Sequence, residues 1–369
     1  KDKVSGVFDT AATYAPTISG VETVAVDLNA TADVVFSLTN VTDATAVLVT
    51  HGQAGAATLK IDKITNERID IAEFAENAGA NIELVLADAT GTDDVLNIKF
   101  TATDDAGDSE IIAKNIETIN INTDAAFTVG FDEVTMDDPA GATANSTKYT
   151  VNVTGDSALT LESLHADLQF LDASANTGGL VISGASSTAT TITGSTVADT
   201  LLGGAGDDVI SGGGGDDEIT GAAGADTLTG GGGADDFNIA MDESNKLIFD
   251  TITDFGTGDE IDMAGTVAAD VAAAALGAKK TLSSMATFND YLDLGTDQDA
   301  DGSAANKAPV VEWFQYNGNT YITVDNTAAT VFTAATDAVI ELTGLVDLSA
   351  TTVELTNTGN KIELDFVAA

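Results

Sequence analysis

The chain is 369 residues long and 44% hydrophobic, lacks cysteine, and sets 59 acidic residues against 13 basic ones for a formal net charge of −46. That apolar content can bury a sizeable core, in two or three units rather than one, and the charge excludes nucleic acid and anionic lipid as partners while attracting cations. Without cysteine neither a disulfide framework nor a thiolate metal site can form, so extracellular stability has to come from packing and ions. No apolar run is long enough to span a bilayer, which argues against membrane insertion. A chain that starts at Lys1 with no n-region is expected to be a fragment or a processed product.

From about Val4 to Ser183, short runs rich in Val, Ile, Leu and Thr alternate with clusters of Asp, Asn, Gly and Thr, as strands separated by turns do. Val21–Leu28, Val95–Phe100, Ile116–Ile121 and Tyr149–Val153 are examples. This patterning fits a sandwich or a β-solenoid, and strand spacing alone does not separate them. The adjoining repeat favours the solenoid.

That repeat runs from Gly194 to Asn238 as five gapless nonapeptides: GSTVADTLL, GGAGDDVIS, GGGGDDEIT, GAAGADTLT and GGGGADDFN. Aspartates recur at the sixth position (Asp199, Asp208, Asp217, Asp226, Asp235) and apolar residues at the eighth (Leu201, Ile210, Ile219, Leu228, Phe237). Downstream, Asp250–Met263 ends the block. Met285, Phe288 and Leu292 then fall at helical spacing, and Glu312–Asp325 reads as a hairpin in which Asn317-Gly318 supplies the positive-φ pair of a type I′ turn. Two more strands are expected around Ala338–Leu342 and Val353–Leu355. The predicted organisation is all-β: a solenoid-like region over 1–190, a parallel β-roll and its capping segment over 191–265, and a β-rich cap over 266–369.

In the pattern G-G-x-G-x-D-x-U-x each position has its own task. Glycine permits positive φ in a tight turn and brings backbone carbonyls close to an ion. The aspartate points a carboxylate into that turn, and the eighth residue is buried between the two sheets. Calcium takes about six to eight oxygen ligands, and a slot between stacked turns can combine carbonyls with carboxylates. The candidate ligands are therefore Asp199, Asp208, Asp217, Asp226 and Asp235, with Asp207 and Asp216 beside them. The turn glycines are Gly203, Gly204, Gly206, Gly212, Gly213, Gly215, Gly221, Gly224, Gly230, Gly231 and Gly233. A flexible acidic linker would not keep an apolar residue at every ninth position, and a dinucleotide-binding glycine loop needs one strand and one helix rather than five registered copies.

Asp297, Asp299, Asp301 and Gly302 spell the opening of an EF-hand-type loop, but Ala308 stands where its bidentate glutamate belongs, so a calcium loop and a solvated acidic loop both remain open. Asp104, Asp105, Asp108 and Glu110, with Asp88, Asp93 and Asp94, read first as solvated turns and second as ion sites. Catalysis finds little support: the two histidines, His51 and His165, lie in no zinc-protease or triad-like context, and Gly155-Asp-Ser157-Ala-Leu159 lacks the second glycine of a nucleophile elbow. The chain is read as non-enzymatic.

The nonapeptides, followed by DTITDFGTGDEIDM (250–263), resemble the RTX repeat and capping segment of proteins exported by type I secretion. The resemblance implies several Ca2+ ions held by the five aspartates and loop carbonyls, with Asp254 and Asp259 joining them in the cap. The first unit departs from the pattern at Ser195 and Val197, and the fourth at Ala222 and Ala223. Further segments, Tyr291-Leu-Asp293, EWFQYNGNTYITVD (312–325) and DAVIELTGL (337–345), are similar to RsaA-type surface-layer (S-layer) proteins. So are the G-V-E-T-V and N-I-E-T-I turns beginning at Gly20 and Asn115. That family implies an extracellular, cell-surface structural subunit that self-assembles into a calcium-dependent lattice. Its implied partners are the type I secretion machinery, reading a C-terminus such as Glu363–Ala369, and a surface polysaccharide anchor reached through a missing N-terminal region. An RTX adhesin, or the C-terminal secretion module of a larger protein, is the alternative.

Overall fold

In a computed structural model, residues 2–8, 10–28, 32–51, 58–65, 68–73, 81–88, 94–101, 104–113, 116–130, 149–164, 166–240, 248–264, 279–281, 286–295, 310–325, 337–350, 352–356 and 361–365 are described. They form two compact units, Lys1–Thr196 and Val197–Ala369.

Within the first unit, successive strands go alternately to two parallel sheets, the topology of a β-solenoid. One sheet takes, among others, Thr23–Leu28, Ala46–His51, Arg68–Glu73, Val95–Phe100, Thr118–Thr123, Tyr149–Gly155, Leu168–Asn176 and Thr191–Thr193; the other takes Val34–Ser37, Thr58–Ile64, Asn81–Leu86, Asp104–Ala113, Phe127–Gly130, Leu159–Ser163 and Leu180–Ile182. The cause is a period of two in the sequence. In TININT, Ile119 and Ile121 point inward and are buried, while Thr118, Asn120 and Asn122 point outward. Because neighbours pair in register (Ile98 with Ile121, Ile121 with Val153), inward residues stack on their like. Outward asparagines do the same: Asn120 donates to Asn97 at 3.0 Å and Asn152 to Asn120 at 2.9 Å. The sandwich alternative is thereby resolved in favour of the solenoid.

The second unit begins with the same alternation. Val209–Gly214, Thr227–Gly232 and Asp250–Ile252 lie in one sheet, and Thr200–Ala205, Glu218–Ala223, Asp236–Ala240 and Glu260–Ala264 in the other. The apolar eighth positions Leu201, Ile210, Ile219, Leu228 and Phe237 meet between the sheets, each no more than 1% exposed. After that the pairing changes hand. Ala338–Leu342 adds in parallel to Asp250–Ile252, then Asn319–Asp325 and Val310–Tyr316 add antiparallel. Lys361–Asp365 adds antiparallel to Glu260–Ala264, and Thr352–Thr356 to Lys361–Asp365. The expected hairpin turns at Asn317 and Gly318, with φ of 50° and 95°. The expected helix spans Phe288–Gly295; its Leu292 packs with Phe314, Tyr321 and Val339, while Met285 lies outside the described residues.

Candidate metal centre

Each repeat after the first closes its turn with two residues at positive φ. At the second position these are Gly204 (135°), Gly213 (106°), Ala222 (70°) and Gly231 (104°), and at the fourth Gly206 (112°), Gly215 (114°), Gly224 (153°) and Gly233 (155°). Ser195 and Val197, the counterparts in the first unit, are absent from the positive-φ set, so that turn has a different shape. Alternation of strands between sheets places every second turn on the same flank, and the aspartates form two interleaved columns. Backbone amides of Asp199, Asp208 and Asp217 donate to Oδ1 of Asp217, Asp226 and Asp235 at 2.9, 2.8 and 3.0 Å. The columns continue past the nonapeptides: Asp226 donates to Asp250 and Asp235 to Asp259, both at 3.1 Å.

All seven carboxylates are buried, from 1% exposure at Asp208 to 7% at Asp259. Oδ2 of Asp208, Asp217, Asp226 and Asp235 turns toward the first-position glycine of its own repeat. A Cβ on Gly203 would lie 2.5 Å from Asp208 Oδ2 and 2.8 Å from the carbonyl oxygen of Gly221. One on Gly212 would strike Asp217 Oδ2 and lie 2.6 Å from the Gly230 carbonyl oxygen. A carboxylate oxygen and a carbonyl oxygen from two repeats further on thus converge on one point. Buried Oδ2 of Asp217 accepts no hydrogen bond. Burial pushes the Asp217 carboxyl up to about 7, its bond from the Asp199 amide opposing and the charges of Asp199, Asp235 and Asp216 adding to the rise. Burial likewise raises Asp235 and Asp259.

No lysine or arginine occurs between Lys148 and Lys246, so the chain brings no cation of its own from this stretch. Buried, converging carboxylate and carbonyl oxygens suit a hard, oxygen-seeking divalent cation, and calcium fits them by ligand type and by the irregular geometry it tolerates. Asp199, Asp208, Asp217, Asp226 and Asp235 would hold it with turn carbonyls.

Several other candidates accept backbone amides. Asp207 and Asp216 are exposed and accept the amides of Ala225 and Ala234, each at 2.9 Å. Asp254 receives the amides of Gly230 and Gly231 at 3.0 and 2.9 Å, so it closes the last glycine turn with both oxygens. Asp259 spends its second oxygen on Gly256 N at 2.8 Å. Asp297, Asp299 and Asp301 lie outside the described residues, as do Asp93 and His165. Asp88 and Asp94 line an open cleft with Ile64, Thr65, Leu86, Ala87 and Val95.

Two features escaped the sequence reading. Asp250 ends one column, and its signal was the triplet Asp250-Thr-Ile, the same Asp-x-apolar unit as Asp226-Thr-Leu. On the outer face of the other sheet, Asp236, Glu260 and Asp262 bring carboxylate oxygens within 4.8 Å of one another, since Asp236 pairs with Glu260 and Asn238 with Asp262.

Residues 186–219, 193–228 and 211–238 match the family profile of the RTX calcium-binding nonapeptide repeat (4 copies). No curated protein matches the chain.

Proposed function

From the premise that this chain is a β-solenoid carrying the RTX calcium-binding repeat, we propose that it is a structural subunit of a bacterial surface layer, one that folds with calcium and self-assembles into a two-dimensional lattice after type I secretion. What supports calcium-dependent folding is the double column of buried aspartates, whose five repeat members lie in a stretch with no lysine or arginine. An ion bound only in the folded state adds its binding free energy to stability. Cytosolic calcium is scarce, so the repeat turns stay open inside the cell and close in calcium-rich medium.

The lattice is a consequence of charge. Subunits at −46 repel until divalent ions screen and bridge them. Likeness of the C-terminal segments to RsaA-type proteins supports a surface layer in particular, anchored to surface polysaccharide by another part of the protein.

Titrating calcium while recording far-UV circular dichroism and particle size tests both steps. Gain of β signal and then ordered sheets are expected. Sheets forming in chelator would overturn the assembly step, and an unchanged dichroism spectrum in chelator the folding step. Adhesion is the second reading, favoured by Phe170, an aromatic 43% exposed between Thr150 and Thr191 on an outer sheet face. A chain that folds with calcium yet stays monomeric at high concentration would turn the assignment to it.

A further inference from the structure

We infer that calcium dependence is confined to the second unit, and that the amide of Asn176 does in the first unit what a cation does in the aspartate turns. Among the described residues, every aspartate or glutamate that is buried as a whole belongs to the second unit, and in the first only one oxygen of the half-buried Asp62 is buried; the wholly buried polar residues of the first are Ser37, Thr123, Asn176, Ser186, Thr190 and Ser195, all neutral.

Asn176 shows how a turn of this fold closes without an ion. Thr123, Gly155 and Asn176 occupy one register position at the ends of three adjacent parallel strands. Asn176 is fully buried. Its Nδ2 donates to Thr123 Oγ1 at 3.0 Å and to the Ser157 carbonyl at 3.2 Å, and its Oδ1 accepts the amides of Gly178 and Gly179 at 2.8 and 2.9 Å. The four hydrogen-bonding positions of the side chain are thereby filled. Thr123 Oγ1 donates in turn to the Ser157 carbonyl at 2.7 Å. Gly155, at φ 114°, opens the passage, because a Cβ there would run into the backbone of Thr123.

The contrast with Asp217 is one of chemistry at a single atom. In the aspartate turn an oxygen of the side chain faces a carbonyl oxygen with no hydrogen between them, which requires a cation or a proton. In the Asn176 turn an N–H faces the carbonyl, which requires neither. The Asn176 turn therefore reaches a neutral, satisfied interior unaided, and calcium orders only the aspartate turns later in the chain.

Hydrogen exchange of the full chain, with millimolar calcium or in chelator, tests this, with the outcome for the second unit resting on the calcium reading above. Amides of 149–193 should exchange within about twofold of the same rate in both conditions, while those of 199–240 speed up by about a hundredfold or more in chelator. In Asn176→Asp, protection of 149–193 should be lost in chelator and restored by calcium; in Asn176→Ala it should fall in both conditions alike. Wild-type 149–193 opening together with 199–240 would overturn the inference, as would Asn176→Asp behaving alike with and without calcium. Protection of 199–240 in chelator would instead overturn the calcium reading and leave the Asn176 comparison standing.

Discussion

At Asp217 the difficulty of an ion-free turn is concentrated in one carboxyl. Its value stands at about 7 against an ordinary 3.8, because burial disfavours the anion. A group raised on folding contributes stability that is complete below its unfolded value and is lost as pH rises through its folded value. The calcium-stripped protein should therefore lose stability between pH 3.8 and about 7, visible as a falling urea midpoint. With calcium the direction reverses, since protons compete for the same oxygens, and calcium affinity should rise with pH through this window. Gly212→Ala puts a methyl against Asp217 Oδ2 and the Gly230 carbonyl, and should raise the calcium midpoint of folding by about tenfold, roughly 1.4 kcal/mol. Ala222 sits at φ 70° where the other positive-φ second positions are glycine; Ala222→Gly should stabilise the calcium-loaded protein by up to about 1 kcal/mol in urea unfolding, the relief of left-handed strain exceeding the added entropy of the unfolded chain. The sequence marked the five repeat aspartates because a nine-residue period is a strong signal. It hid Asp250, because the step from Asp226 to Asp250 is 24 residues where the preceding ones are 18. Spacing lapses at that point while the chemistry persists.

Strands of the second unit carry their energetics in alternation. Ile219 is fully buried, whereas Val209 is 47% exposed on an outer face. Ile219→Ala should cost about 2–5 kcal/mol through lost burial and a residual cavity. Val209→Ala should stay within about 0.5 kcal/mol, and paired urea melts in calcium would compare the two. The same alternation made Val95–Phe100 legible to the residue, and a short apolar run did so for Ala338–Leu342. It could not show how they pair, because an inward-outward period of two is common to sandwiches and solenoids. Pairing depends on which residues meet across strands, as Ile98, Ile121 and Val153 do, and no single strand carries that information. For the same reason the reversal from parallel to antiparallel at Lys361–Asp365 had no signature in the sequence.

For the whole molecule the dominant fact is a charge of −46. Self-repulsion among exposed carboxylates is screened by salt over about 10 Å at 0.1 M. Sodium chloride should therefore raise the melting temperature of the chelated protein, and do so less once calcium is bound. Parallel thermal melts across ionic strength would show it, and equal salt slopes in the two states would count against charge neutralisation by bound ions. Because aspartates bond two repeats apart, the repeat number has a parity. Gain or loss of a single nonapeptide would carry every later strand, from Asp250 onward, to the opposite sheet. Only changes by two keep each later strand in its present sheet, so a roll built this way preserves the arrangement of its end when it lengthens or shortens in pairs.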